Sequence, residues 1–296
     1  PTHFYVRHEG DCRLSGSIFL SRQAALAASR MSALRTPAQK SCHSVCRRLF
    51  RARATIKLLI TKIFSTHIAS TEVAGEILQM QSVAADLDLH GYVFLPRHLQ
   101  GEISEEVAAG FGEMMTPWEG GLVQRLIPRA RSTPNTYSGN FGLNPFPFHT
   151  DLAQWPAPPR YLMLRCVRGY RDVPTLIVDG HVLLQRLGTE TLSRAVVRPR
   201  RPQAGQLRLL RLLQREASES LLRWDAVYLR PASRIGELVF VEIARCLRDA
   251  SPKPLVMAED GDTVIIDNWR MLHARPAIPR NRLDRCLERV YLRSLN

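Results

Sequence analysis

From Ala85 the chain alternates polar and apolar residues through Asp-Leu-Asp-Leu, then runs apolar after Gly91 as Tyr-Val-Phe-Leu before Pro96. That pattern predicts a short helix followed by a strand. Glu102–Met115 carries acids in its first turn and spaced apolar residues after them, predicting a helix. Pro, Asn, Ser and Gly crowd Pro128–Pro147, which predicts a loop with a strand emerging at Phe148. Strands are expected over Arg160–Val167 and Thr175–Val178, and helices over Leu183–Ser193 and Ala204–Glu219. In the last of these, Leu207, Leu210 and Leu213 share one side, and Arg208, Arg211 and Arg215 form a solvated face. Asp260-Gly261 signals a turn before Thr263–Asn268, an apolar run suited to a buried strand. Arg285–Leu292 is the last expected strand. Many short strands with helices at the start and between them describe a mainly β fold with flanking helices.

The chain of 296 residues carries a formal charge of +14, which at first suggests nucleic acid. Its distribution changes that picture. Residues 1–70 hold 12 Lys/Arg against Glu9 and Asp11, whereas residues 71–296 hold 29 against 25 acids. Lys253 is the sole lysine of that larger part, and such an arginine skew reflects base composition better than a phosphate-binding design. Nucleic acid is therefore not the expected partner; a small molecule is, and a homo-oligomer is compatible. The Arg-, Ser- and Ala-rich segment 1–75 is expected to lie outside the fold, which occupies 76–296. A transit peptide, a basic arm, or read-through before a start such as Met80 all fit its composition. No apolar run reaches membrane-spanning length; Lys57 and Lys62 interrupt the best candidate, Thr55–Ser70. Six cysteines lack a pairing pattern, and Cys42-His43-x-x-Cys46 lacks a second ligand pair, so a reducing cytoplasm is expected.

Three segments carry candidate chemistry. In Phe146-Pro-Phe-His149-Thr-Asp151, strand residues two apart point to one face, so His149 and Asp151 can address one metal ion. One imidazole and one carboxylate make up two of the three donors of a non-haem Fe(II) facial triad. The plainer alternative is a loop histidine beside a turn-forming aspartate. In Asp267-Asn-Trp-Arg-Met-Leu-His273-Ala-Arg275, the histidine follows the buried strand, where a side chain projects from the mouth of a barrel; a structural histidine is the alternative. In Arg285-Cys-Leu-Glu-Arg289-Val-Tyr291, alternation puts Arg285, Leu287, Arg289 and Tyr291 on one face. Inward arginines are unfavourable unless anions meet them, and a dicarboxylate supplies one suited to a bidentate guanidinium grip.

These segments resemble the taurine-dioxygenase and clavaminate-synthase-like branch of Fe(II)/2-oxoglutarate oxygenases. The His273 segment is similar to the distal-histidine segment of gamma-butyrobetaine hydroxylase, and Arg285-x-Leu-Glu-x-x-Tyr291 to the arginine strand that follows it there. Phe148-His-Thr-Asp151, Pro158-Pro159 and Pro174-Thr175-Leu176 keep the family's order, and the resemblance spans about residues 85–293. It implies a double-stranded β-helix (jelly roll) in which His149, Asp151 and His273 ligate Fe(II), with 2-oxoglutarate and O2 on the open positions. Arg285, helped by the Thr175 hydroxyl, would hold the distal carboxylate of 2-oxoglutarate. Arg289 would face its other carboxylate or an acidic group of the substrate, with a salt bridge to a buried acid as the alternative. The implied activity is hydroxylation or desaturation of a small, amino-acid-like substrate with release of succinate and CO2; the competing reading is a non-catalytic binding or regulatory module. The body 76–296 is compact for this family, and Ala274 stands where glycine is common. Tyr137, Asn140 and Asn144 are candidate pocket lining.

Overall fold

The computed structural model describes residues 81–117, 121–203, 205–216 and 219–296; the basic segment 1–75 lies outside them. Along the chain, helical residues 81–90 (α1) precede β1 (Tyr92–Leu95), α2 (Ser104–Phe111), β2 (Gly112–Met115) and β3 (Gln124–Leu126). Then come α3 (Tyr137–Phe141), β4 (Phe146–His149), β5 (Tyr161–Arg168), β6 (Thr175–Asp179), α4 (His181–Leu187) and α5 (Thr189–Arg194). An insert of short strands follows: β7 (Val196–Pro199), β8 (Leu210–Arg211), β9 (Leu213–Glu216), β10 (Glu219–Leu222) and β11 (Leu229–Pro231). The chain closes with α6 (Arg234–Arg248), β12 (Lys253–Leu255), β13 (Thr263–Asp267), β14 (Met271–Arg275) and β15 (Cys286–Leu295).

One sheet runs β1-β13-β5-β15-β2, with β3 also on β15; a second runs β12-β6-β14-β4, so β4 is an edge strand. Both are antiparallel in every pairing. Their facing sides bury Leu162, Leu164, Val264, Ile266 and Leu287 of the first sheet with Ile177, Leu255 and Met271 of the second. β13 is buried at every position, because its other face carries Ile265 against α1 and α2 through Leu87, Val107 and Phe111. The outer side of the second sheet is padded by α4, α5, α6 and the insert, which bury Leu183, Leu192, Leu212 and Ile243 around Leu272. The mainly β fold with flanking helices is thus what the chain adopts.

Several element boundaries differ from the sequence expectation. The helix expected over Glu102–Met115 ends at Phe111, and Gly112–Met115 is instead drawn into the sheet beside β15. Leu183–Ser193 is not one helix, because Gly188 at φ +79° separates α4 from α5. The described residues of the helix expected over Ala204–Glu219 hold no helix. Leu210 and Leu212 are buried while Arg211 between them is exposed, and Leu213–Glu216 pairs with β10 as a hairpin. Local leucine content favoured a helix, and tertiary packing against α5 and α6 overrode it. Arg208, Arg211 and Arg215 are nevertheless exposed, as a solvated face requires. α6 was not anticipated, although it carries its own signals. Ser233 caps the N-terminus by accepting from Gly236 N–H, Glu237 lies in the first turn, and Arg245 and Arg248 lie in the last. Among the described residues no helix is long and apolar enough to cross a membrane.

Candidate metal centre

β14 lies between β6 and β4, and His273 stands directly opposite His149 in the ladder. The register brings the two imidazoles side by side, with ring centroids 4.4 Å apart. β4 ends at His149, so Asp151 is not a strand residue as expected; it opens a turn in which Leu152 has φ +55°. The two-residue step beyond the strand is fixed by hydrogen bonds instead. Thr150 N–H donates to the Trp224 carbonyl (2.8 Å), and Trp224 N–H donates to Thr150 Oγ1 (3.2 Å). Asp151 N–H donates to Asn268 Oδ1 (2.7 Å), while Asn268 Nδ2 donates to the carbonyls of Asp151 and Pro159 (3.0 Å each).

Asp151 Oδ1 lies 3.5 Å from Nε2 of both His149 and His273. Its Oδ2 is engaged elsewhere, accepting from Arg289 Nη1 at 3.0 Å and from the Tyr291 hydroxyl at 2.9 Å. The carboxylate therefore offers one oxygen toward the imidazoles and holds back the other. His149 Nδ1–H donates to the Pro147 carbonyl at 2.8 Å, which leaves Nε2 as the lone-pair nitrogen of the neutral ring. Burial alone would raise the Asp151 carboxyl, but Arg289 and then His273 more than reverse it and hold it well below the usual carboxylate range. Burial and the neighbouring His149 push His273 down, favouring its neutral form. Two imidazole nitrogens and an ionised carboxylate oxygen, all buried and within 4.8 Å of one another, are a donor set suited to a divalent cation. His273 Nδ1 is buried and meets no hydrogen-bond partner.

The three residues line a cavity of about 770 Å³ that also takes in Thr175, Arg285 and Arg289. Arg285 is 4 % exposed, its Nε meets no partner, and no carboxylate pairs with it among the described residues. Burial pushes its pKa down to about 10. Thr175, the first residue of β6, is buried in the same wall. Arg289 reaches Asp151 and also donates through Nε and Nη2 to Gln124 Oε1 (3.1 and 2.7 Å). Of the two positions expected for it, the buried-acid salt bridge is the one present. Arg275 donates to the carbonyls of Gly142 (3.1 Å) and Asn144 (2.7 Å) and stacks on Phe146. Tyr137 lines the cavity and stacks on His149 with centroids 4.2 Å apart. Asn140 in α3 and Asn144 in the turn after it are exposed and do not line it.

No protein-family model matches the chain. It is 29 % identical over 162 residues to clavaminate synthase 2 of Streptomyces clavuligerus, covering 50 % of this chain and 49 % of that protein. The chain thus spans about half the length of that relative. Asparagine oxygenase, solved with Fe(II), 3-hydroxyasparagine and succinate, superposes with a TM-score of 0.56 at 20 % identity, over 73 % of this chain and 79 % of that one. The non-heme iron oxygenase OrfP, solved with Fe, succinate and (3S)-hydroxy-L-Arg, gives 0.54 at 21 % identity over 74 % and 79 %. PvcB of Pseudomonas aeruginosa gives 0.54 at 21 % over 72 % and 79 %. The fold is the one that asparagine oxygenase, OrfP and PvcB share. Sequence reasoning missed three residues that shape the centre: Asn268, Tyr291 and Asp225. Asn268 and Tyr291 stood inside segments already singled out but had no assigned task. Asp225, 1 % exposed between β10 and β11, lines the cavity, and its one sequence signal is an acid inside the apolar stretch 221–229.

Proposed function

We propose that residues 76–296 form an Fe(II)- and 2-oxoglutarate-dependent oxygenase on a double-stranded β-helix (jelly roll), acting on a small, amino-acid-like molecule in a reducing cytoplasm. One observation carries this reading: three buried metal-ligating side chains and an unpaired buried guanidinium open into the same cavity. His149, Asp151 and His273 would hold the iron, Asp151 through Oδ1 because Oδ2 is taken by Arg289 and Tyr291. The bound iron, with 2-oxoglutarate and O2, supplies the oxidising power to attack an unactivated C–H bond while succinate and CO2 leave.

This chain's residues do the binding and orienting. Arg285 holds an anionic end of 2-oxoglutarate, which supplies the charge its buried guanidinium otherwise lacks. Thr175, in the same cavity wall, adds a hydroxyl donor. The Pro147 carbonyl orients the His149 ring, and Asn268 fixes the peptide that carries Asp151. Leu162, Leu164 and Leu287 line the cavity with apolar surface, which limits water near the reacting groups. Anaerobic addition of Fe(II) and then 2-oxoglutarate tests the proposal. A visible charge-transfer band and substrate-stimulated succinate release are expected; a reduced, folded protein that gives neither is the binding module instead.

A further inference from the structure

The net positive charge of the larger part of the chain is gathered in the insert. Between Arg194 and Arg234 the sequence holds ten arginines against three acids, Glu216, Glu219 and Asp225. Residues 71–296 as a whole hold 29 Lys/Arg against 25 acids, so outside this segment the balance is 19 against 22 and slightly acidic. Base composition explains arginine in place of lysine, but not its collection in one segment. Of the acids, Asp225 is buried and Glu219 is taken by Arg160. Arg198, Arg200, Arg201, Arg208, Arg211 and Arg230 pair with no carboxylate among the described residues.

The sheet β11-β7-β8 turns these cations outward. Val197, Leu210 and Leu229 are its buried positions, packed with Leu192 of α5 and Ile243 of α6. At the alternate positions Arg198 of β7 stands directly opposite Arg230 of β11, and Arg211 of β8 opposite Val196. Like charges directly across a ladder destabilise it. The compensation is only from carbonyls: Arg230 donates to Ala226 (3.0 Å) and Leu229 (2.8 Å), and Arg211 to Ser193 (2.8 Å). The connection from β7 to β8 adds exposed Arg201 and Arg208, and beside them Leu207 and Leu209 are 50 % and 68 % exposed. Arg200 N–H donates to the Tyr228 carbonyl (2.7 Å), and Tyr228 lines the metal cavity, so the basic face adjoins the cavity wall. Three occupants fit this face poorly. The chain's own residues 1–70, with 12 Lys/Arg against two acids, are of like charge. A second copy docked symmetrically would set arginine on arginine. A nucleic acid would leave both leucines unpartnered, and among the described residues 194–234 hold no exposed aromatic ring to stack on a base. We propose that the outer face of β7, β8 and β11, with the connection between β7 and β8, docks an acidic protein partner that offers carboxylates to the arginines and an apolar patch to Leu207 and Leu209. This inference is independent of the oxygenase reading and places the partner beside the cavity.

The test titrates the full chain into a fluorescein-labelled amphipathic Glu/Leu helical peptide and follows anisotropy. Poly-L-glutamate, a DNA duplex and phosphatidylserine vesicles are the competing probes. Arg201→Glu/Arg208→Glu reverses two exposed charges of the face, and Arg171→Glu/Arg186→Glu reverses two exposed charges on other elements. Every variant keeps residues 1–70, so their own pull on acidic probes cancels in the comparison. The Glu/Leu peptide should bind saturably, more tightly than poly-L-glutamate, and roughly tenfold more weakly to Arg201→Glu/Arg208→Glu. The control pair should bind it as the unmodified chain does. Peptide addition should also slow hydrogen exchange at the amides of Val196 to Arg198 and Gln206 to Arg211. Equal weakening by both double variants reduces the effect to net charge and overturns the docking face, as does unchanged exchange at those amides. Tighter binding of the DNA or the vesicles, lost in Arg201→Glu/Arg208→Glu, overturns the protein partner.

Discussion

Replacing Arg289 with methionine keeps the bulk of its stem but removes the charge that faces Asp151. The aspartate side chain is 7 % exposed and the arginine 20 %, so the pair is largely out of water. Taking one partner from a buried ion pair costs about 3–5 kcal/mol, most of it the penalty of the charge left behind. The lower end applies here, because Arg289 keeps some solvent and the Tyr291 hydroxyl still donates to Oδ2. About 3 kcal/mol in a domain of this size corresponds to a fall in Tm of roughly 6–12 °C. The measurement is thermal unfolding of chelator-treated protein, repeated with Fe(II) under argon. A divalent ion gives Asp151 the cation it has lost, so the metal-induced rise in Tm should be larger in Arg289→Met than in the unmodified chain. In an Asp151→Asn background the same substitution should cost about 1 kcal/mol, since no charge is stranded. A drop below about 2 °C in the metal-free protein, or an equal drop in the Asn background, refutes the idea that Arg289 holds Asp151 ionised and oriented.

Other consequences are checked more briefly. His273→Ala should abolish Fe(II) binding in anaerobic titration with the fold intact by circular dichroism; undiminished affinity would remove His273 from the donor set. Arg285→Gln should raise the 2-oxoglutarate requirement by roughly a hundredfold without lowering Tm, because it deletes an unpaired buried charge; an unchanged requirement excludes its assigned task. Asn268→Ala should lower metal affinity about 10–100-fold through loss of its grip on the Asp151 peptide, and wild-type affinity would contradict this. Burial pushes the Cys166 thiol up to about 12, so below that pH its reactive thiolate is scarce and a thiol reagent at pH 8 should leave it unlabelled by peptide mass mapping until the protein is unfolded. Asp151, held low, contributes stability that is present above the ordinary carboxylate value of 3.8 and is lost only as pH falls through its lower folded value. Stability from this group should therefore be flat between pH 7 and 5 in metal-free protein.

The donors of the centre were legible because their spacing carries chemistry even in one dimension. His149 and Asp151 sit two residues apart, and Arg285, Leu287, Arg289 and Tyr291 alternate on one face and all reach the cavity. What was not legible depends on contacts between distant parts of the chain. Asn268 grips Asp151 across 117 positions and Tyr291 meets it across 140, separations at which no local pattern constrains a partner. The leucine-rich stretch 204–219 misled for the opposite reason. Its local composition is helical, but burial of Leu212 against α5 and α6 outweighs a propensity difference of a few tenths of a kcal/mol per residue. Asp225 was invisible because an acid in a turn is ordinary; its meaning comes from being dry.

The position of β4 at the rim of its sheet has a kinetic consequence. It has four residues and one neighbouring strand, and it carries one imidazole, with the carboxylate just beyond its end. The opposing imidazole sits on the better-anchored β14. An ion gripped from both sides acts as a rivet across that seam, and its release needs no global unfolding, merely peeling of the rim. Amide protons of Phe146 and of Phe148 to Asp151 should then exchange with solvent at a rate that tracks ion dissociation, while those of β13 stay protected.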